Sequence, residues 1–513
     1  MPTVDGTTYN VASGGDLQAA LNNAAADDTT KTHEVVVEAG ATFTGAFTFP
    51  AHSANTGWII VRTSNVAGLP AVGYRAKSAH SGAMPTIRCQ ASAAPDPVMQ
   101  PANNAQRYRF LGINFDVGNQ PTGEVVYFIG NLQTPATGVD KIIWDRCLIQ
   151  NSNTEDVRQA LVLQGTNQAV INSSFYNIRI VSGEPHCILV GQCPGPTLTQ
   201  NNYLEGYFGI LIGGFSWTGI QEDITIRRNH YFRQASWGAA GNQKHFVEGK
   251  TGGRVLIEQN ICDTQNTLNI SDIRIYFTEF DGSGSDIYDW TIRYNKFINN
   301  AYDNPAIDFA GDFNGNRPTT ARRMHAHDNL AYSYRRAFQI QHELMDLTIE
   351  HNTIDCVARN LISNNELNSP SRFVHRNNIY ANPNTYDYYH DDTAQFGSQG
   401  MADFWTGGET TATNNAFVDR FSMSGMPTGD FNPSTAQVKF VNAAGGNYAL
   451  DAGSTCLAGG AHDADDGTDN GCRIATLNTK LTGVEAGDAE EPGPPAPPTK
   501  RHQRIGVLTA SRR

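Results

Sequence analysis

Along most of the chain, apolar and polar residues alternate over short runs of about four to eight residues, the period of a half-buried strand and not of a helix. The clearest runs are ITIRRNHYF ending at Phe232, VLIEQNIC ending at Cys262 and WTIRYNKF ending at Phe297, followed by MHAHDNLAY, LTIEHNTI, FVHRNNIY and TATNNAFV. Weaker copies precede them: YRFLGINF, IIWDRCLI, AVINSSFY and LTQNNYLE. Each is a strand-like run, then Asn or a small polar residue, then an apolar residue. The anchors Asn202, Asn229, Asn260, Asn295, Asn329, Asn352, Asn378 and Asn415 are spaced by 27, 31, 35, 34, 23, 26 and 37 residues. A period in the twenties and thirties marks a repeat architecture. Period-two runs do not suit helical repeats, and propeller blades need longer units with regular hairpins.

A second apolar run lies between successive anchors, as in VVYFIG, ALVLQG, CILVGQ, GILIGG, HFVEGK, RIYFTEF, AIDFAG and AFQIQH. Two or three strands per unit, stacked turn on turn, predict an all-β parallel β-helix. A β-sandwich with Asn-rich turns is the alternative, and the irregular spacing counts against it. Asn suits the bends because it tolerates left-handed backbone and bonds the local chain. Stacked amides on successive coils can also form a ladder. Gly15 to Leu21 reads as a short amphipathic helix with Asp16 near its start, a cap over about residues 1–33 that covers the first coil's edge. Runs at Val438–Asn442 and Asn447–Leu450 look like terminal strands, within a closing region of about 437–484. The solenoid is expected to be one domain over 1–484. Residues 485–513 read as a Pro-rich linker and a disordered basic tail.

The opening GDLQAAL…VVVEAGATFTGAFTFP, the repeated coils and the closing FVNAAGGNYALDAGS together resemble right-handed parallel β-helix proteins of the pectate-lyase-like superfamily. GWIIVRTSN, IRRNHYFRQASWG and KHFVEGKTGGRVLIEQNIC resemble more narrowly a largely uncharacterised bacterial group within it. The resemblance implies a carbohydrate-active protein acting on a polysaccharide or glycan. The polygalacturonase-type Asn-Thr-Asp or paired Asp-Asp strand and a pectate-lyase calcium cluster are not found, which puts pectin itself in doubt.

Composition narrows the classes. Among 513 residues there are 45 Asn, and 37 Lys+Arg against 50 Asp+Glu give a net charge of −13. Charged residues make up 17%, below the usual quarter or so. Sparse basic residues argue against a nucleic-acid partner, and no apolar run is long enough for a membrane span. The N-terminus MPTVDGTTYNVASGG has no secretory signal pattern. The expected location is extracellular or cell-surface for a mature form, or the virion. The protein would be a monomer as an enzyme, with a homotrimer possible as a virion component. The eight cysteines include no CxxC pair and read as small buried hydrophobes, except that Cys456 and Cys472 flank a short acidic loop and could pair if the protein is exported.

On a β-helix, outward side chains of one strand stand about 4.8 Å from those of the next coil, and long polymers lie along the groove so formed. With Val247 inward, Glu248 and Lys250 point out. With Ile275 and Phe277 inward, Tyr276 points out and Glu279 falls at the strand end. Asp308 points out between Ile307 and Phe309. Gln339 and Gln341 do so around Ile340, with His342 and Glu343 at the bend. Glu248, Lys250 and Asp308 are therefore the candidate catalytic residues. Tyr276, Glu279, Gln339, Gln341, His342 and Glu343 are the candidate substrate contacts. Glu248 and Asp308 two coils apart approach the carboxyl separation of an inverting glycosidase. Lys250 instead suits the base of a β-elimination, given a positive charge or metal to acidify the proton next to a uronate carboxyl. A surface ion pair between Glu248 and Lys250 is the structural alternative. A non-catalytic glycan-binding or tailspike-like virion component is the functional one.

No cofactor is required by this reading. The acidic loop Asp463, Asp465, Asp466 and Asp469 offers oxygen ligands for calcium, and His325, His327 and Asp328 offer a weaker metal set. His230, His245 and His375 read as local hydrogen-bonding residues. Trp217, Trp237, Tyr386, Tyr388, Tyr389, His390 and Trp405 lie in loops, where aromatic faces can stack on sugars or simply pack the helix side.

Overall fold

The computed structural model describes residues 2–488 apart from 53–55, 90–96, 119–124, 131–134, 152–156, 181–182, 214–220, 238–244, 267–271, 278–286, 301–304, 313–320, 342–343, 365–371, 382–385, 391–394, 397–410, 421–426 and 428. Alternating runs become strands, and in the coil they pair in parallel with the strand one turn further along the chain, while Gln395–Phe396 folds back antiparallel on Tyr386–His390. The first face is a ladder of 14 strands, from Thr8–Val11 to Thr411–Thr413. The second runs from Thr42–Thr44 through Leu148–Gln150 and His230–Phe232 to Ala416–Phe417. The third runs from Phe47–Phe49 through Val157–Leu163 and Val247–Gly249 to Tyr386–His390. Second and third faces merge where Leu330–Gln341 and Thr353–Asn364 continue through the corner between them. This is the right-handed parallel β-helix that the sequence predicts.

The core is the inside of the coil. Inward positions stack by type, as in Leu161, Ile188, Ile210, Val247, Ile273, Ile307 and Phe338, which follow one another in register. Aromatic rings fill its N-terminal part: Phe110 and Trp144 stack at 4.3 Å between centroids, with Phe49 edge-on to Phe110 at 5.3 Å. The helix Leu17–Ala26 is longer than the sequence suggests. Asp16 caps it by accepting from the Ala19 amide at 2.9 Å. Its buried Leu17, Leu21 and Ala24 cover the first coil.

The asparagine anchors form one continuous ladder. The Oδ1 of each accepts from both the backbone N–H and the Nδ2 of the anchor one coil before: Asn229 to Asn260 at 2.9 and 3.1 Å, Asn260 to Asn295 at 3.0 and 2.9 Å, Asn295 to Asn329 at 3.1 and 3.0 Å. The run continues through Asn352 and Asn378 to Asn415, which ends on Asp430. Ser173 and Cys147 continue it backwards, since Ser173 N–H donates to Asn202 Oδ1 and Cys147 N–H to Ser173 Oγ. The left-handed bend, however, lies one residue earlier than expected. It falls on Asn201, Arg228, Gln259, Tyr294, His351 and Asn377, with φ between 51° and 59°. The ladder Asn is held by its amide, so the strain of the bend passes to whatever residue precedes it.

Residues from about 440 leave the coil stack. Phe440–Asn442 and Asn447–Leu450 pair with each other as an antiparallel hairpin. The chain then runs back along the bends as a strap. Arg473 Nε donates to Asp328 at 2.7 Å, Arg228 donates to the Lys480 carbonyl at 2.7 Å, and buried Arg75 donates to the Val484 carbonyl at 2.9 Å. The acidic loop is part of this strap: Asp465 pairs with Arg376 and accepts from Asn377, Asp466 faces His351, and Asp463 and Asp469 accept backbone N–H groups. Cys456 and Cys472 are both free and buried in separate clusters, so they do not pair. Among the described residues no helix is long and apolar enough to cross a membrane.

Candidate active site on the third face

The outward column of the third face is set by parallel register. Leu211 pairs with Glu248, Glu248 with Arg274, Arg274 with Asp308, and Asp308 with Gln339. Strand alternation puts these side chains opposite the inward Val247, Ile273, Ile307 and Phe338. Gly249 is needed here: a Cβ on it would stand 2.2 Å from the ring of core Trp290. The expected placement of Glu248, Asp308 and Gln339 on one column therefore holds. All three are buried. Tyr276 and Gln341 lie in strands whose side chains at these positions are outside the described residues, as are Glu279, His342 and Glu343 altogether.

Sequence reasoning missed Arg274. It occupies the rung between Glu248 and Asp308 and forms an ion pair with Asp308, Nε to Oδ2 at 3.1 Å. The signal was present: counting the alternation back one step from Ile275 through Ile273 leaves Arg274 outward. Its presence changes the chemistry. A guanidinium, not an open water position, separates the two carboxylates. Lys250 stands beside Glu248 with Nζ 4.0 Å from Oε1, and its side chain is 15% exposed.

Two further residues reach the site from earlier coils. Ligating atoms of Glu184, His186 and Glu248 lie within 4.8 Å of one another, the one group of three such side chains among the described residues. His186 Nδ1 meets Gln159 Oε1 at 3.1 Å. Burial pushes the imidazole well below its ordinary value, and the cations Lys250 and Arg158 push in the same direction.

The weaker candidates are used otherwise. His325 Nε2 meets Glu350 at 2.8 Å and His327 Nδ1 meets Asp328 at 2.8 Å, while Asp328 also holds Arg473. His325, His327 and Asp328 therefore do not converge as a metal set. His375 bonds Tyr380 Oη, and His230 packs edge-on to Tyr203. Trp237 is buried against Tyr207. Trp217, Trp405 and the side chains of Tyr386, Tyr388, Tyr389 and His390 lie outside the described residues.

No protein-family model matches the chain, and no curated protein does either. Among solved structures, it is similar to a PL6 family alginate lyase, AlyGC, with a TM-score of 0.50 and 13% identity over 82% of this chain. The chain spans about half of that lyase, 53% of its length. It is also similar to the Streptococcus pneumoniae surface protein and adhesin PfbA, with a TM-score of 0.42 and 12% identity over 73% of this chain and 93% of that one. A third similar structure is a tailspike protein of an E. coli bacteriophage in complex with a pentasaccharide, with a TM-score of 0.36 and 11% identity over 82% of this chain and 75% of that one. At these identities the likeness is one of fold, a parallel β-helix.

Proposed function

We propose that this protein is a polysaccharide lyase, cleaving a uronate-containing chain by β-elimination on the third face. The observation that carries the reading is the juxtaposition on adjacent rungs of Lys250, beside Glu248, and Arg274, beside Asp308. Elimination next to a uronate needs a base for the C5 proton and a positive group that accepts charge from the carboxylate as it delocalises. Lys250, once it has given up its own proton, takes the C5 proton. The C5–H electrons form the C4–C5 double bond, the C4–O bond breaks, and the departing oxygen is protonated from Lys250 or water. Arg274, tethered by Asp308, faces the carboxylate. Gln339, one rung on, would contact a neighbouring sugar.

An inverting hydrolase is the weaker reading, because Arg274 stands where water would be activated between Glu248 and Asp308. The test is incubation with a panel of neutral and acidic polysaccharides, following both reducing ends and the ultraviolet absorbance of unsaturated uronates. Both signals together support elimination. Reducing ends without unsaturation would move the chemistry to the carboxylates. Tight oligosaccharide binding without either signal would make the face a passive glycan-binding surface.

A further inference from the structure

We propose that Glu184, His186 and Glu248 form a binding site for a zinc-type divalent ion beside Lys250. Three facts converge. The ligating atoms of these side chains lie within 4.8 Å of one another. His186 is 1% exposed; its Nδ1 is engaged by Gln159 Oε1, while its Nε2 makes no hydrogen bond. Glu248 is 2% exposed; its Oε1 faces Lys250, while its Oε2 makes no hydrogen bond.

Two buried, unpartnered lone-pair atoms in one cluster are costly. One cation accounts for both. Gln159 supplies what a metal-binding imidazole requires, an acceptor on the far nitrogen that fixes the tautomer and leaves the other lone pair free. Ligands of a four-coordinate zinc stand about 3.3 Å apart, so the three side chains need only close slightly around the ion. The donor set selects the class of ion. Calcium takes about six to eight oxygen ligands, whereas one imidazole nitrogen with two carboxylates suits zinc or cobalt. Three protein ligands leave a position open. Its use by a substrate carboxylate rests on the lyase reading, but the binding of the ion does not.

The test uses the full chain, stripped with chelator, dialysed and titrated without polysaccharide. Zn²⁺ binding is followed by calorimetry and Co²⁺ by its visible absorption, with Ca²⁺ and Mg²⁺ as comparisons. The expected result is one ion per chain, preferring Zn²⁺ and Co²⁺ over Ca²⁺. His186→Gln and Glu248→Gln should each weaken binding by more than about tenfold, and Gln159→Leu by roughly tenfold or more. Glu184→Gln, at the partly exposed rim, serves as the second variant should either buried substitution disturb the far-ultraviolet circular dichroism. Absence of stoichiometric Zn²⁺ and Co²⁺ binding overturns the site, as does affinity unchanged in a natively folded His186→Gln chain. Preferential calcium binding that ignores His186 overturns it as well. Failure of Zn²⁺ and Co²⁺ to bind while cleavage proceeds would overturn the site and leave the lyase reading standing.

Discussion

The ladder of asparagine amides and the cluster around Glu248 belong to the same coils, yet their buried polar atoms are treated in opposite ways. Along the bend each ladder amide, at most 1% exposed, gives and receives hydrogen bonds with its neighbours in the stack. On the third face, buried His186 Nε2, Glu248 Oε2 and Thr251 Oγ1 make none. A satisfied network stabilises and specifies the coil register. Unsatisfied buried groups cost free energy and persist where the stack over-determines them, which is characteristic of sites that await a ligand. The difference sets the line of amides that holds the register apart from the face on which we propose the chemistry.

The sharpest way to break this division is a pair of substitutions expected to affect opposite properties. Lys250→Ala should lower cleavage of an identified substrate by about 10²–10⁴-fold, the usual worth of a general base. Its melting temperature should match that of the parent. A large loss of stability together with the activity would make Lys250 a structural partner of Glu248.

Asn295→Ala should do the reverse. It removes the acceptor for the Asn260 N–H and Nδ2 and the donor to Asn329 and Ile257. The expected cost is about 3 kcal/mol in denaturant unfolding, with the specific activity of the folded fraction retained. Asn295→Ser should recover part of this, because Ser173 already fills such a rung.

A smaller effect is expected at the strap side, and it depends on pH. Burial opposes ionisation of Glu350, but hydrogen bonds and charge from His325 and Arg376 outweigh it and hold the carboxyl at about 2. A depressed carboxyl contributes stability above its unfolded value, near 4.5, and loses it as pH falls toward 2. Glu350→Gln should therefore cost about 1 kcal/mol at neutral pH, and the difference from the parent should shrink between pH 5 and about 2. A gap in denaturation midpoint that stays constant over that range would remove the ion pairs from the account.

The smallest effect belongs to the exposed charge ladder at the strand starts. Arg254 pairs with Glu222 and Asp223, all at least 29% exposed. Arg254→Ala should change unfolding free energy by less than about 1 kcal/mol, falling further in high salt.

The repeat was legible because its physical cause is local. A stacked amide needs Asn at each bend, and a half-buried strand needs period two, so spacing and alternation are written into every coil. Glu248, Asp308 and Gln339 were legible for the same reason. Arg274 was overlooked though the same rule places it. The left-handed position was not legible: Asn was expected to take it, whereas the ladder holds the Asn and transfers the bend to Arg228, Tyr294 or His351.

By itself the sequence determined the stacking, the inward and outward faces and the line of asparagines, because these follow from patterns that repeat within a few residues. Only the tertiary structure decided that Glu184 and His186 meet Glu248 two coils later, and that the closing segment returns along the bends to Arg75. Those meetings depend on coil length and on how the strap crosses each turn. Such offsets sum over many residues, so no local pattern records them.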